Sequence, residues 1–125
     1  MNTKQIWDII DQQQEDLIRF CCDMIKIPSE NPPGDVEAVT KFICDFLDSY
    51  HIPYEIVRPV PDRPNILATF GKKGGKRVVF NGHCDVVPAG DPAKWDFPPY
   101  SGEIRDGRIL GRGTSDMKCG LASSL

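Results

Sequence analysis

Apolar residues recur at helical spacing in two places near the start of the chain. Ile6, Ile10, Leu17, Phe20, Cys21 and Met24 fall on one face of a 3.6-residue repeat, which predicts a helix. Pro28 bars its continuation, so the helix should end near Lys26 or Ile27. Val36, Val39, Ile43, Phe46, Leu47 and Tyr50 form a second and more regular stripe, with Asp35 ahead of it as a candidate N-cap. Between the two lies Pro28-Ser29-Glu30-Asn31-Pro32-Pro33-Gly34, too rich in proline and glycine to be anything but a loop. Both helices read as packing elements without chemistry of their own.

Beyond residue 53 the pattern turns extended. Tyr54 to Val57 predicts a short strand ended by Pro59, Pro61 and Pro64, and the prolines favour a sheet edge. Ile66 to Phe70 predicts another. Val78-Val79-Phe80, β-branched and aromatic, reads as a buried central strand. Asp106-Gly107 between Ser101–Arg105 and Arg108–Leu110 is the strongest short-range hairpin signal in the chain. Thr114-Ser115-Asp116 can start a helix from Met117 onward. Gly71-Lys72-Lys73-Gly74-Gly75 lacks the spacing of a phosphate loop and reads as a solvated hairpin turn between two strands. Helices interleaved with strands give an α/β fold class.

The 125 residues suffice for one small domain, and 40% hydrophobic with 26% charged residues suits an ordinary globular one. Fifteen basic against 18 acidic residues, a formal charge of −3, give no electrostatic case for nucleic acid or an anionic membrane surface. The first residues lack the apolar core of a signal peptide, and no apolar run approaches the roughly 18 residues that span a bilayer. Five cysteines without a C-x-x-C pair read as free thiols, which makes the cytoplasm the expected location. The sequence stops inside the helix begun near Met117, so an N-terminal piece of a longer protein is expected.

The candidate chemistry follows Phe80, in Asn81-Gly82-His83-Cys84-Asp85-Val86-Val87-Pro88. Ligand sites in α/β proteins gather at the carboxyl ends of strands. There an imidazole can ligate a metal through one nitrogen while a nearby carboxylate fixes its orientation from behind. Asp116, also among glycines, is a second acidic candidate. Each has a plainer reading: a histidine at a strand end is more often structural, and Asp116 alone serves equally as a helix N-cap. A catalytic zinc ion commonly takes three protein ligands. Only His83 and Asp116 are well placed, so the site should be incomplete within this chain. Cys84 could compete for soft metals, but alternation along an extended segment points it away, as a buried and inert thiol. Lys118 and Arg112 could neutralise carboxylates or substrate, or be solvated or structural. His51, before Pro53, reads as a loop residue.

Taken in order, Asn81 to Pro88, Trp95, Pro99 to Glu103 and Asp106 to Lys118 closely resemble the signature of a dinuclear zinc metallopeptidase and deacylase family. The family includes acetylornithine deacetylase, succinyl-diaminopimelate desuccinylase, aminoacylase and glutamate carboxypeptidase. Ile27-Pro28-Ser29 and Asn31 to Asp35 look like its early loop, so the resemblance covers essentially all 125 residues. It implies the N-terminal part of a zinc-exopeptidase-like catalytic domain, with a mixed sheet flanked by helices. The remainder of that domain and a lid domain used for dimerisation would lie beyond Leu125. His83 matches a metal ligand, Asp85 the catalytic aspartate that orients it, and Asp116 the carboxylate bridging two Zn2+ ions, for which Co2+ could substitute. A cis peptide is implied at Asp116-Met117. The general-base glutamate and the remaining ligands would lie outside the chain, so the chain alone should bind zinc weakly and hydrolyse nothing. The intact protein is expected to be a homodimer hydrolysing the amide bond of N-acyl amino acids or short peptides. A di- or carboxypeptidase, or a catalytically silent binding homologue, is the alternative. Cys119 departs from the family, which usually has glycine or another small residue there.

Overall fold

The computed structural model describes residues 1–125. Helix α1 runs Thr3–Ile25 and ends at Lys26, where Pro28 requires. Its start is a capping box: the Asn2 side chain accepts from Gln5 N at 2.9 Å, and the Gln5 side chain accepts from Asn2 N at 2.8 Å. Only its last turns are buried, through Cys21, Cys22, Met24 and Ile25, while Ile6, Trp7 and Ile10 lie on an exposed face. Helix α2, Glu37–Ser49, buries Val39, Ile43, Cys44 and Leu47. The core is therefore a contact between the end of α1, the apolar stripe of α2 and Ala122. Phe20 adds an aromatic seam, its ring centroid 4.9 Å from Phe42 and 4.5 Å from Phe46. Val36, not Asp35, occupies the N-cap of α2, yet Asp35 still accepts from Glu37 N at 3.0 Å.

The two early strand candidates pair with each other. Strands β1 (Tyr54–Val60) and β2 (Arg63–Ala68) are antiparallel, with Ile56 opposite Ile66. β1 runs on past Pro59, and an irregularity between Val57 and Val60 lets it do so, since a bulge frees proline from donating to the ladder. Strands β3 (Glu103–Arg105) and β4 (Arg108–Leu110) form the expected hairpin, with positive φ at both Asp106 (52°) and Gly107 (72°). Their hairpin rests on α1 through Gly102, at φ +56°, where a Cβ would overlap the Cys22 carbonyl oxygen.

Three expectations are corrected. Val78, Val79 and Phe80 belong to no strand and are 78%, 81% and 73% exposed. A strand buried on both faces needs neighbours on both edges, and none of the other strands pairs with this segment. Within this chain the sheet component is two antiparallel hairpins, which with the helices make the α/β fragment expected. Residues 71–75 turn in solvent as expected, but β2 ends before them and no strand follows them directly, so they close no hairpin. The helix expected from Met117 starts two residues later, as α3 (Cys119–Ala122). Residues Thr114–Lys118 form a kinked turn in which Asp116 and Met117 have non-helical dihedrals, and the peptide bond between them is cis. No helix is long and apolar enough to cross a membrane.

Candidate metal centre

The segment carrying His83 is held by the proline-rich loop rather than by a sheet. Ser29 Oγ donates to the Cys84 carbonyl at 2.7 Å, Val86 N to the Ser29 carbonyl at 2.9 Å and Asn31 N to the Val86 carbonyl at 2.8 Å. The two backbone bonds make a parallel bridge between Glu30 and Val86, and with the Ser29 side-chain bond to Cys84 they hold the chain on both sides of Asp85. The second strand of chain reaches the site by close approach. Gly113 sits at φ +89°, and a Cβ on it would lie 2.6 Å from Val86 Cγ1. Only glycine lets the backbone pass there, and Asp116 follows three residues later.

These two constraints bring the candidate residues together. His83 Nε2 lies 3.0 Å from Asp116 Oδ1. On the other side of the ring, Nδ1 lies 3.0 Å from the Asp85 carbonyl oxygen and 3.2 Å from Asp85 Oδ1. Asn31 Nδ2 donates to Asp85 Oδ2 at 2.9 Å. His83, Asp85 and Asp116 line a cleft of about 320 Å³, walled by Val86, Val87 and residues 111–115. The Asp116 side chain is 85% exposed, so its second oxygen is open to the cleft.

Charge follows from this geometry. Partial burial of His83 opposes its protonation, but hydrogen bonds to Asp85 and Asp116 and the two carboxylate charges outweigh it, and its pKa is raised. Both ring nitrogens face acceptors, so only an imidazolium satisfies both at once. A cation bound at Nε2 must displace that proton. The Asp85 carboxyl is held below its usual range, first by the Asn31 amide and then by His83.

Around the centre, other residues resolve into supports. Lys118 is fully buried, donating to the Ile27 carbonyl at 2.6 Å and the Met24 carbonyl at 3.2 Å, which settles its role as structural. Burial pushes its pKa down to about 8. Arg112 lies over the Trp95 ring at 4.9 Å and lines the cleft. Glu30 accepts from Ala89 N at 2.9 Å and Tyr100 OH at 2.6 Å, and these bonds hold its carboxyl low. Cys84 is part-buried with its thiol pushed up by burial, the inert state expected of it. Cys119 borders the core beside Cys21, and burial raises both thiols. His51, exposed at the end of α2, contributes nothing here. The sequence reading missed Asn31 and Ser29. Their signal was a run of hydrogen-bonding side chains, Ser29-Glu30-Asn31, inside a loop otherwise made of proline and glycine.

Two donors of the right kind for zinc thus face each other. Ligands bound tetrahedrally at about 2.0–2.2 Å stand roughly 3.3 Å apart, close to the 3.0 Å found between Nε2 and Oδ1. In number they fall short, because no three His, Cys, Asp or Glu side chains gather into a metal-sized group. His83 and Asp116 therefore fit part of a metal's ligand set.

Residues 79–125 match peptidase family M20/M25/M40. A protein of Staphylococcus epidermidis named "probable succinyl-diaminopimelate desuccinylase" is 41% identical over 108 residues, which cover 86% of this chain and 26% of the relative. The succinyl-diaminopimelate desuccinylase of Cereibacter sphaeroides is 36% identical over 117 residues, covering 86% of this chain and 28% of the relative. That of Paracoccus denitrificans is 53% identical over 60 residues, covering 48% and 16%. The chain spans about a quarter of the length of the relatives that match most of it.

Proposed function

We propose that this chain, which belongs to peptidase family M20/M25/M40, supplies one terminal ligand and a bridging carboxylate to the dinuclear metal site of an amide-bond hydrolase. The observation that carries the reading is His83 Nε2 at 3.0 Å from Asp116 Oδ1, with Asp85 against the opposite side of the imidazole. The 125 residues then form the N-terminal part of the catalytic domain.

Zinc, or cobalt in its place, would supply polarisation of the scissile carbonyl and an acidified water. The chain's residues prepare the site for it. Asp85 accepts the Nδ1 proton and so leaves the Nε2 lone pair directed at the cleft. Asp116 presents one oxygen toward His83 and its side chain is otherwise exposed, so its carboxylate would be free to hold a cation on either oxygen. The Glu30–Val86 bridge holds the His83 segment in place, and Gly113 lets the Asp116 segment pass close against it. No glutamate lines this cleft, so the proton-transferring base comes from outside these residues. The favoured substrates are N-acyl amino acids, with N-succinyl ones first, because the matching relatives are named as desuccinylases. Five free thiols favour a cytoplasmic location, and the family resemblance a homodimer.

The test is hydrolysis by the natural gene product of N-succinyl and N-acetyl amino acids, followed as release of free amine with zinc, with cobalt and with chelator. Metal-dependent release that His83→Ala abolishes supports the reading. Turnover of dipeptides alone would make it a peptidase. Metal binding without any turnover would make it a silent homologue.

A further inference from the structure

We propose that Asn31 is a positioning residue of this centre: its carboxamide holds the Asp85 carboxylate against His83 and so sets how strongly His83 binds a cation. The inference rests on the reading just given and adds a residue of the proline-rich loop to it. Two observations carry it. The first is competition for one proton. His83 Nδ1 has two acceptors in reach, the Asp85 backbone oxygen at 3.0 Å and the Asp85 carboxylate Oδ1 at 3.2 Å. The backbone oxygen cannot leave, because the chain on both sides of it is tied to Ser29 and Asn31. The carboxylate can leave by rotating about its side-chain torsions. What holds it is the Asn31 Nδ2 bond to Oδ2 at 2.9 Å, the one other hydrogen bond its side chain makes.

The second observation is that Asn31 is itself anchored where it must be. Its backbone N donates to the Val86 carbonyl at 2.8 Å, one residue past Asp85, so its side chain starts from a fixed point beside the carboxylate. An anionic acceptor behind a ligating imidazole raises the basicity of the ligand nitrogen more than a neutral carbonyl does. Asn31 thereby selects the stronger of the two partners. Its chemistry suits this role, since a neutral amide donates to the carboxylate without neutralising it, whereas a lysine would pair with it and draw it off the ring.

The experiment uses the natural gene product with Asn31→Ala, Asn31→Asp, Asp85→Ala and the double variant Asn31→Ala/Asp85→Ala. Zinc affinity is measured by competition with a chromophoric chelator, and thermal unfolding checks that each variant folds. Loss of an outer partner of a metal-bound histidine costs about 10–100-fold in affinity. Asp85→Ala is expected in that range and Asn31→Ala near its lower end, about tenfold. Asn31→Asp is isosteric but sets a negative charge against Asp85, so it should weaken zinc binding more than alanine does. Asn31→Ala should cost nothing further once Asp85 is alanine, since both act through one contact. Equal affinity in wild type and Asn31→Ala, or full additivity in the double variant, overturns the proposal.

A metal-free readout separates this claim from the proposed function. At a pH where His83 is neutral, its 15N shifts report which ring nitrogen holds the proton. Wild type should hold it at Nδ1, and Asn31→Ala, left with the neutral Asp85 carbonyl there against the Asp116 carboxylate at Nε2, should show a mixture. An unchanged tautomer in that variant overturns the role of Asn31. A wild-type protein that takes up no zinc, yet shows the tautomer change, would instead overturn the metal reading and leave the positioning role standing.

Discussion

Replacing Lys118 by methionine isolates the most unusual charge in the chain. The ammonium is fully buried and its bonds go to two backbone carbonyls, those of Met24 and Ile27 at the end of α1. No carboxylate neutralises it. Methionine keeps most of the volume and removes the charge and both bonds. Hydrogen bonds from a charged donor contribute about 1.5–3 kcal/mol each, so two are worth roughly 3–6 kcal/mol. Against this stands the desolvation that lowers the pKa from 10.5 to about 8, and at about 1.36 kcal/mol per pH unit it amounts to roughly 3 kcal/mol. The difference makes Lys118→Met destabilising by about 0–3 kcal/mol at pH 7. The pH dependence is the sharper test. The folded state disfavours the protonated amine, so the penalty is fully present below pH 8 and is relieved as pH rises from about 8 toward 10.5. Wild type should gain up to about 3 kcal/mol over that window relative to the variant. Urea unfolding of both proteins at each pH, followed by tryptophan fluorescence, gives the gap directly, and titrations common to the two cancel. A gap that stays constant from pH 7 to 10.5 would refute the argument that burial dominates this lysine.

Other outcomes follow from the same contacts. Gly113→Ala strains a left-handed backbone and overlaps Val86 Cγ1, costing about 1–2 kcal/mol for the first and about 1–3 for the second; urea unfolding should show about 2–5 kcal/mol, with weaker zinc uptake as Asp116 is displaced. The raised pKa of His83 means that its contacts with Asp85 and Asp116 stabilise the fold fully below about pH 6.5 and that this contribution is lost as pH rises through the folded value. His83→Gln should flatten that part of the pH–stability profile. In the 125-residue chain, Val79→Ser with Phe80→Ser should change unfolding free energy by less than about 0.5 kcal/mol and reduce self-association by light scattering, because both side chains are exposed.

Local signals in the sequence carried the elements that depend on local physics. The α2 stripe, the stop at Pro28 and the Asp106-Gly107 turn each act within a few residues, and each stands where the pattern put it. Val78–Phe80 failed for the opposite reason, since a central strand exists only through its neighbours and its own apolar run cannot show whether they are present. The site divides along the same line. His83, Asp85 and Asp116 each had a plainer reading alone and were singled out by the order of the motifs that resemble the metallopeptidase family; the fold brings their side chains together. The roles of Asn31 and Lys118 were not legible, because an amide in a turn and a lysine in a helix look ordinary until the fold sets one on a carboxylate and buries the other. The late start of α3 belongs here too: nothing in Asp116-Met117 itself marks a departure from helix, and only the family resemblance pointed to the cis bond.

Anomalous diffraction at the zinc absorption edge, from crystals of the natural gene product equilibrated with zinc, tests the central claim most directly. The account predicts a peak at bonding distance, about 2.0–2.2 Å, from both His83 Nε2 and an oxygen of Asp116, absent in crystals of His83→Ala. Zinc bound through the Cys84 thiol, or a His83–Asp116 pair that remains hydrogen-bonded while zinc sits elsewhere, would contradict it.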